Sequence, residues 1–292
     1  MQRYNKRYQV LFLLPIILMF GFMYAVPLVN VIYTSLFNYK LTQKGMTFIG
    51  IDNYIRLFTN DRNFIVALKN TAIWIVLHVF LHVAIGIFMA LVLYRKPRGW
   101  KFVRTVYMAP NIIAASAIAL IFKQVYNADY GLLNVALRGL GLGHLARNWL
   151  FDPRTTFVSL TMIWMLFAGY TCTLVLARLL SISDELLDAA RIDGCNSLQV
   201  DFLIALPIAK DTISTTMIMA ASYMLTMFPL IYLTTGGGPG NMTLNLPLYL
   251  YNKAMIENNY GYANAVGVFI ILCGIVIMRI INFSLQTNKG DV

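Results

Sequence analysis

The chain has 292 residues, of which 59% are hydrophobic and only 12% are charged. Soluble globular domains carry charge on about a quarter of their residues, so this composition excludes an ordinary soluble domain and predicts an integral membrane protein. A net charge of +11 would suggest nucleic-acid binding in a soluble protein. Here the basic residues flank apolar runs, where they set membrane orientation and contact anionic lipid, so we expect no nucleic-acid partner.

The first predicted membrane span covers residues 10–37 and follows a short basic cytoplasmic tail at residues 1–9. Its uncharged run is long enough to cross about 30 Å of hydrocarbon. A basic start followed by an apolar run also resembles a signal peptide, but no small-residue cleavage site ends this run. We therefore expect the segment to stay in the membrane as an anchor, with an external loop after it at residues 38–67.

Five further spans are predicted in a core domain at residues 68–285, which a cytoplasmic tail at 286–292 follows. Basic residues are densest between positions 95 and 104, and this places the end of the second span in the cytoplasm. The pattern predicts an all-α membrane protein with six transmembrane helices and both termini cytoplasmic. The five core spans are expected at the following residues: about 70–94, 105–123, 155–178, 212–233 and 258–279.

His78 and His82 stand one helical turn apart in the second predicted span. That spacing permits a shared metal ion or a proton relay. No third ligand is nearby, so we expect no metal site and favour contacts between helices. The pair nevertheless supports one alternative function, a secondary transporter driven by an ion gradient.

The sequence contains no residues arranged for catalysis. It has no Ser/His/Asp triad, no carboxylates placed for acid and base work, and no Walker motif for ATP. The glycine-rich residues 236–240 are not followed by Lys-Ser or Lys-Thr, and they predict a tight external turn. We therefore expect a protein that is not an enzyme, has no catalytic residue and binds no cofactor itself.

Residues 181–208 form the longest charged interval between two apolar segments. Within it, residues 184–192 predict a short helix with a small apolar face and a charged face. Ser183 is placed to cap the start of this helix and Gly194 to end it. We expect its apolar side chains to be exposed for another protein, at the following positions: Leu186, Leu187, Ala190 and Ile192.

The residue types of this charged loop and the spacings between them resemble those of a known family. Residues 188–207 read D-A-A-x3-G-x9-I-x-L-P, which is similar to the E-A-A-x3-G-x9-I-x-L-P loop in the membrane subunits of binding-protein-dependent ABC importers. Asp188 departs from the pattern by replacing Glu with a shorter carboxylate. The G-G-G-P sequence at 236–239 resembles an external loop of the maltose-type permease in carbohydrate importers.

This resemblance implies the type I ABC importer permease fold in a bacterial cell membrane. It implies that this subunit forms the path for a sugar or oligosaccharide. Separate subunits would bind ATP and Mg²⁺ and hydrolyse the ATP. The implied protein partners are a second homologous permease, two ATP-binding subunits, and an external solute-binding lipoprotein or periplasmic protein. The lipid bilayer is the remaining partner. An ABC permease for another solute, such as glycerol phosphate, is a second alternative.

Two sets of site residues are expected. The resemblance places coupling to the ATPase in the charged loop, at these residues: Glu185, Asp188, Ala189, Ala190, Asp193, Gly194, Leu206 and Pro207. Polar and aromatic side chains inside spans are costly against lipid, so we expect them to face the interior and line the substrate path, unless they serve only helix packing or interface anchoring. These path residues are Asn111, Trp164, Tyr170, Ser222, Tyr223 and Tyr232.

Overall fold

The computed structural model describes residues 6–285, and these are mostly helical. Helices are the expected outcome for apolar runs of this length, because backbone groups in hydrocarbon must find their hydrogen-bond partners within the segment. A two-stranded antiparallel sheet, β1 (Phe37–Asn38) and β2 (Thr47–Phe48), follows the first helix. The helices in chain order are α1 from Lys6 to Ser35, α2 (Asp52–Thr59), α3 (Arg62–Tyr94), α4 (Trp100–Ile112), α5 (Ala115–Val125), α6 (Leu132–Gly139), α7 (Thr156–Leu179), α8 (Asp184–Ile192), α9 (Ser197–Ile208), α10 (Lys210–Thr226), α11 (Pro229–Thr234), α12 (Leu246–Tyr251) and α13 (Tyr260–Ser284).

Four of these helices, α1, α3, α7 and α13, are individually long and apolar enough to cross a membrane. Two pairs qualify only if a bend is allowed within one span, α4 with α5 at 97° and α9 with α10 at 70°. The described residues therefore hold between four and six candidate spans, where the sequence predicts six. In α7, 61% of the apolar window is buried, the largest share among these four helices.

The chain divides into two compact units. One comprises the described residues up to Arg62 together with Leu250–Leu272, and the other comprises Asn63–Tyr249 with the described residues from Cys273 onward. A core cluster of the second unit joins α3, α7 and α9. Its buried members are Ala90, Leu93, Cys172, Val175, Leu176, Leu179, Ala205 and Ala209.

In the first unit, α2 holds the end of α1 through buried polar contacts. Asn53 is buried and donates its side-chain amide to the carbonyl oxygen of Ser35 over 2.7 Å. The hydroxyl groups of Tyr54 and Ser35 also lie 2.7 Å apart. The first bond satisfies a carbonyl oxygen that the end of α1 would otherwise leave open. The second joins the Ser35 side chain to α2.

In the second unit, α3 and α7 approach each other closely. A Cβ atom on Gly86 of α3 would lie 2.7 Å from the Cβ of Thr171, so only a glycine permits this spacing. Nearer the start of both helices, the rings of Trp74 and Phe157 stack at 4.8 Å. Trp74 also donates its indole N–H to the hydroxyl of Thr161 over 2.9 Å.

Candidate functional site

A cavity of about 420 Å³ lies in the second unit, among α3, α4, α5, α7, α10 and α11. Four of the six side chains predicted for a substrate path line it together: Asn111, Trp164, Tyr170 and Tyr223. None of the lining residues is Asp, Glu, Lys or Arg. The cavity therefore presents aromatic faces and neutral hydrogen-bonding groups, an arrangement that suits an uncharged polar molecule.

The other two predicted path residues do not line this cavity. Ser222 lies on α10 and is exposed, and its carbonyl accepts a hydrogen bond from the Thr226 hydroxyl over 3.1 Å. Tyr232 is 43% exposed on α11, and its ring stacks on Phe228 at 5.0 Å. Sequence reasoning could place these residues on spans, but it could not show which face of each helix borders the cavity.

A break in α7 lies at the wall of the cavity, which Phe167 lines. Residues 166–168 interrupt α7, and the carbonyl oxygen of Met165 at the break lies 3.0 Å from Nδ1 of His82. Gly169 resumes the helix against α4, where a Cβ atom would lie 2.5 Å from the carbonyl oxygen of Tyr107 and 2.6 Å from Nδ2 of Asn111. The glycine therefore sets how closely α7 can approach the side chain of Asn111.

His78 and His82 also line the cavity, and the substrate-path prediction did not include them. They lie in a π-helical turn of α3, Leu77–His82, and π turns are often found at functional sites. Their ring centroids are 4.0 Å apart and the rings meet edge to face. Their spacing of four residues was the available sequence signal, but it did not show which face of α3 they occupy.

The charged loop begins with α8, whose limits match the predicted residues 184–192. Ser183 occupies the N-cap position, but its side chain makes no capping hydrogen bond. Gly194 adopts a left-handed backbone (φ +91°), as a helix-ending glycine does, and the amide of Cys195 donates to the carbonyl of Ala190 over 3.0 Å. Both ends of the short helix therefore lie where the sequence predicts them.

The orientation of α8 differs from the expectation. Leu187 and Ala190 are buried at 4% and 6% exposure, and they pack with Val200 and Tyr94 of the same chain. The expected exposure is therefore wrong for these two residues, because the small apolar face of α8 is covered by α9 and the end of α3. Leu186 and Ile192 are exposed, as expected.

The other coupling residues predicted in this loop lie mainly at the surface. Leu206 is half-buried within α9. The exposed ones are Glu185, Asp188, Ala189, Asp193, Gly194 and Pro207. A partner that binds α8 would therefore meet the carboxylates, Ala189 and Gly194, whereas Ala190 faces inward.

An ion pair ties the charged loop to α3. Nη2 of Arg95, just after α3, lies 2.5 Å from Oδ2 of Asp201 in α9. The Asp201 side chain is only 7% exposed, while that of Arg95 is 51% exposed. An aspartate with so little exposure needs such a partner, because an unpaired buried charge is strongly unfavourable. Sequence reasoning missed this contact, since the two residues are distant in sequence and neither belongs to the motif.

The glycine-rich loop after α11 is fixed by buried polar side chains. Asn70 of α3 donates its side-chain amide to the carbonyl oxygens of Met242 (3.0 Å) and Leu244 (2.9 Å). The hydroxyls of Thr235 and Thr243 lie 2.7 Å apart, both buried. This loop is therefore a tight turn, as predicted, and is held to α3 by contacts that the sequence does not reveal.

The comparison with known families decides where this arrangement belongs. Residues 82–287 match the family described as "Binding-protein-dependent transport system inner membrane component". The chain belongs to this permease family. The permease is 34% identical over 291 residues to the "Probable ABC transporter permease protein YurN" of Bacillus subtilis (strain 168), covering 98% of this chain and 99% of that protein.

A second relative of the permease is the "Multiple sugar-binding transport system permease protein MsmF" of Streptococcus mutans serotype c. It is 34% identical over 276 residues, which cover 93% of each protein. Among solved structures, the permease matches a chain of the "bacterial alginate ABC transporter in complex with alginate pentasaccharide-bound periplasmic protein" with a TM-score of 0.83, at 25% identity and 98% coverage of both chains. The predicted type I fold is thereby confirmed, and family membership excludes a secondary transporter.

Proposed function

We propose that this permease is the membrane-spanning subunit of an ABC importer that carries a sugar or oligosaccharide into a bacterial cell. The observation that supports this most directly is the cavity in the second unit, which joins Asn111, Trp164, Tyr170 and Tyr223. Aromatic faces pack against the C–H faces of sugar rings, and neutral polar groups bond their hydroxyls. A sugar-transport permease at 34% identity supports the same solute class.

The chain crosses the bilayer six times, each bent helix pair counting as one crossing, with both termini in the cytoplasm. This topology places the loop at 181–208 in the cytoplasm and the glycine-rich loop outside. The exposed surface of α8 then faces the side where ATP is available. A separate subunit binds ATP and Mg²⁺ there, docks on α8 and hydrolyses the nucleotide, since this chain has no Walker motif.

The complete transporter contains a second homologous permease, two ATP-binding subunits and an external solute-binding protein. The apolar window of α1 is unburied within this chain, so lipid or another subunit covers it. The structural relative transports alginate and was solved with a periplasmic protein, which supports an external partner of the same kind.

An anionic solute such as glycerol phosphate is not favoured by this cavity. Recognition of phosphate typically uses Arg or Lys side chains, or a helix N-terminus with free N–H groups. No Arg or Lys is among the lining residues. The cavity therefore offers no cationic side chain to a phosphate group, although α5 begins at Ala115 in its wall.

Uptake by the reconstituted transporter tests this proposal. The four kinds of subunit are incorporated into proteoliposomes, and uptake of labelled maltose, cellobiose, raffinose and glycerol 3-phosphate is measured with ATP inside or with an imposed proton gradient. We expect ATP-dependent uptake of at least one saccharide and none of glycerol 3-phosphate. Uptake driven by the proton gradient alone, or of glycerol 3-phosphate alone, would contradict the proposal.

A further inference from the structure

Helix α8 rests on its own chain through a small apolar contact. Its two buried side chains, Leu187 and Ala190, pack with Val200 of α9 and Tyr94 of α3. Apolar packing is non-directional, because its strength depends on the area removed from water. A contact of this kind keeps α8 against the chain but does not by itself set the angle of the helix.

An ion pair stands directly beside the residues that cover α8. Tyr94 and Val200 are each followed in the chain by one member of the Arg95–Asp201 pair. Unlike an apolar contact, a hydrogen bond between charged groups weakens steeply when its angle changes. The bond of 2.5 Å between the two side chains therefore fixes the position of Val200 relative to Tyr94.

The helices that carry this ion pair are themselves held in place. Leu93, near the end of α3, is 1% exposed in the core cluster that joins α3, α7 and α9. Helix α9 begins with a capping box, in which the amides of Asn196 and Gln199 each donate to the other's side chain over 2.8 and 2.9 Å. This box starts two residues after Gly194, where α8 ends. The position of Asp201 is therefore passed to α8 through a short, ordered connection.

Arg95 differs from the other basic residues between positions 95 and 104. Its side chain pairs with a buried carboxylate. The remaining four are exposed and take part in no ion pair within residues 6–285: Lys96, Arg98, Lys101 and Arg104. Those four supply positive charge to the proposed cytoplasmic side, whereas Arg95 also has a specific contact in the charged loop.

We propose that Arg95 and Asp201 are positioning residues for coupling, which hold α8 at the angle at which the ATP-hydrolysing subunit docks on it. Neither residue lines the cavity, and both act through Val200 and Tyr94. This inference rests on the proposed function, since it requires a separate ATPase that docks on α8. It adds which contact keeps the docking helix oriented.

Loss of the ion pair should weaken coupling without preventing docking. The exposed side chains of α8 remain available to the partner subunit, but the helix can tilt on its apolar contact. Movement of the ATPase is then partly taken up by tilting of α8. We therefore expect ATP hydrolysis to continue while less solute is imported for each ATP.

The experiment measures the number of solute molecules imported per ATP hydrolysed in the complete reconstituted transporter. Maltose, cellobiose and raffinose are the solutes, and values are taken per assembled complex. The test variants are Arg95→Gln, Asp201→Asn, the two combined, and Arg95→Lys. The controls are Arg98→Gln and Asp211→Asn, which change exposed residues that take part in no ion pair in the described part of the chain.

Each neutral test variant should lower the import per ATP about threefold to tenfold, as expected for one lost hydrogen bond. The combined variant should be no worse than Arg95→Gln alone, because both changes remove the same bond. Arg95→Lys keeps the charge and should retain most of the import per ATP. The controls should leave this ratio unchanged. If the pair only stabilises the fold, the unfolding midpoint and the yield of complex fall while the ratio stays normal, which overturns the proposal.

A distance measurement tests the position of α8 without solute or nucleotide. In the complete complex with its native cysteines replaced, spin labels are attached at Ile192→Cys of α8 and Phe88→Cys of α3, both exposed positions. Pulsed electron paramagnetic resonance should give a narrow distance distribution with the ion pair intact. Arg95→Gln and Asp201→Asn should each broaden it, whereas Arg98→Gln should not. An unchanged distribution in the pair variants overturns the proposal.

The outcomes separate this inference from the proposed function. If the unaltered transporter carries no saccharide with ATP, the proposed function fails and the role in coupling fails with it. If a saccharide is carried but the pair variants match their controls in import per ATP, the function stands and the positioning role is overturned. A lower ratio together with a broadened distance distribution supports both.

Discussion

At the scale of single residues, the two charged pairs of the loop differ in what they contribute. Arg191 and Asp188 are 2.7 Å apart, but both side chains are 62% exposed. Exposed pairs of this kind contribute between about 0 and 1 kcal/mol. The Arg95–Asp201 pair has a buried carboxylate, so its loss leaves a desolvated polar group without its partner. The two ion pairs differ mainly in the burial of the carboxylate, since their N···O distances are similar.

Asp201→Asn should therefore destabilise the protein by about 1–3 kcal/mol, because the buried side chain loses a charge-assisted hydrogen bond. Asp188→Asn is the matched control and should change stability by no more than about 1 kcal/mol. Thermal unfolding of the purified complex in detergent measures both. An equal shift in the unfolding midpoint for the two variants would show that the buried pair has no special role.

Gly194 is the residue whose substitution should separate coupling from folding. Its φ of +91° costs an L side chain about 1–2 kcal/mol, yet a Cβ atom at this position would meet no other group within 4 Å. We expect Gly194→Val to lose solute-stimulated ATPase activity while the protein still inserts into the membrane. Gly194→Asn tolerates the left-handed backbone better and should retain more activity. Full activity in Gly194→Val would contradict the proposed role.

At the scale of elements, the local sequence predicted helix limits well but could not predict which face is covered. The end of α8 follows from Gly194, which acts on neighbouring backbone groups. Whether Ala190 faces a partner or its own chain depends on the position of Val200 and Tyr94, which no local pattern encodes. The same limit applies to the predicted path residues: four of the six line one cavity, whereas Ser222 and Tyr232 do not, and no local pattern distinguishes the two groups.

Close packing between α7 and α4 gives a test at this scale. Gly169→Ala would place a carbon 2.5 Å from the carbonyl oxygen of Tyr107, so α4 must move, and we expect a loss of about 1–3 kcal/mol. Gly274→Ala is the control, since its nearest neighbour, a Leu225 side-chain atom, lies at an ordinary 3.5 Å. Thermal unfolding should show the first variant destabilised and the second unchanged or slightly stabilised.

Asn70 of α3 is the buried side chain that bonds the carbonyl groups of the turn after α11. Asn70→Ala removes the donor to the carbonyls of Met242 and Leu244, and we expect it to cost about 1–3 kcal/mol. Asn63→Ala removes only an exposed bond to Asn241 and should stay within about 0.5 kcal/mol of the unaltered protein. If protease sensitivity of the turn and the unfolding midpoint are unchanged in Asn70→Ala, this anchor is dispensable.

At the scale of the whole molecule, the sequence predicted the fold class and family because membrane spans and a long spaced motif are encoded locally. Cysteine labelling can test which side of the membrane each loop faces. In a background with the native cysteines replaced, His144→Cys should react with an impermeant maleimide from outside the cell. Ser197→Cys should react only in inverted vesicles, because the proposed topology places the charged loop in the cytoplasm. The reverse labelling pattern would overturn the proposed topology.

Helix α3 connects the wall of the cavity with the charged loop. His82, which lines the cavity, and Arg95, which pairs with Asp201 of the charged loop, are separated along or just beyond α3 by about 20 Å at 1.5 Å per residue. No hinge lies in that interval, because residues 83–94 are regular α-helix. A shift of α9 produced by ATP binding would therefore displace His82 along the axis of α3. Nucleotide binding and solute binding should then be coupled, and each should alter the affinity for the other by the same factor.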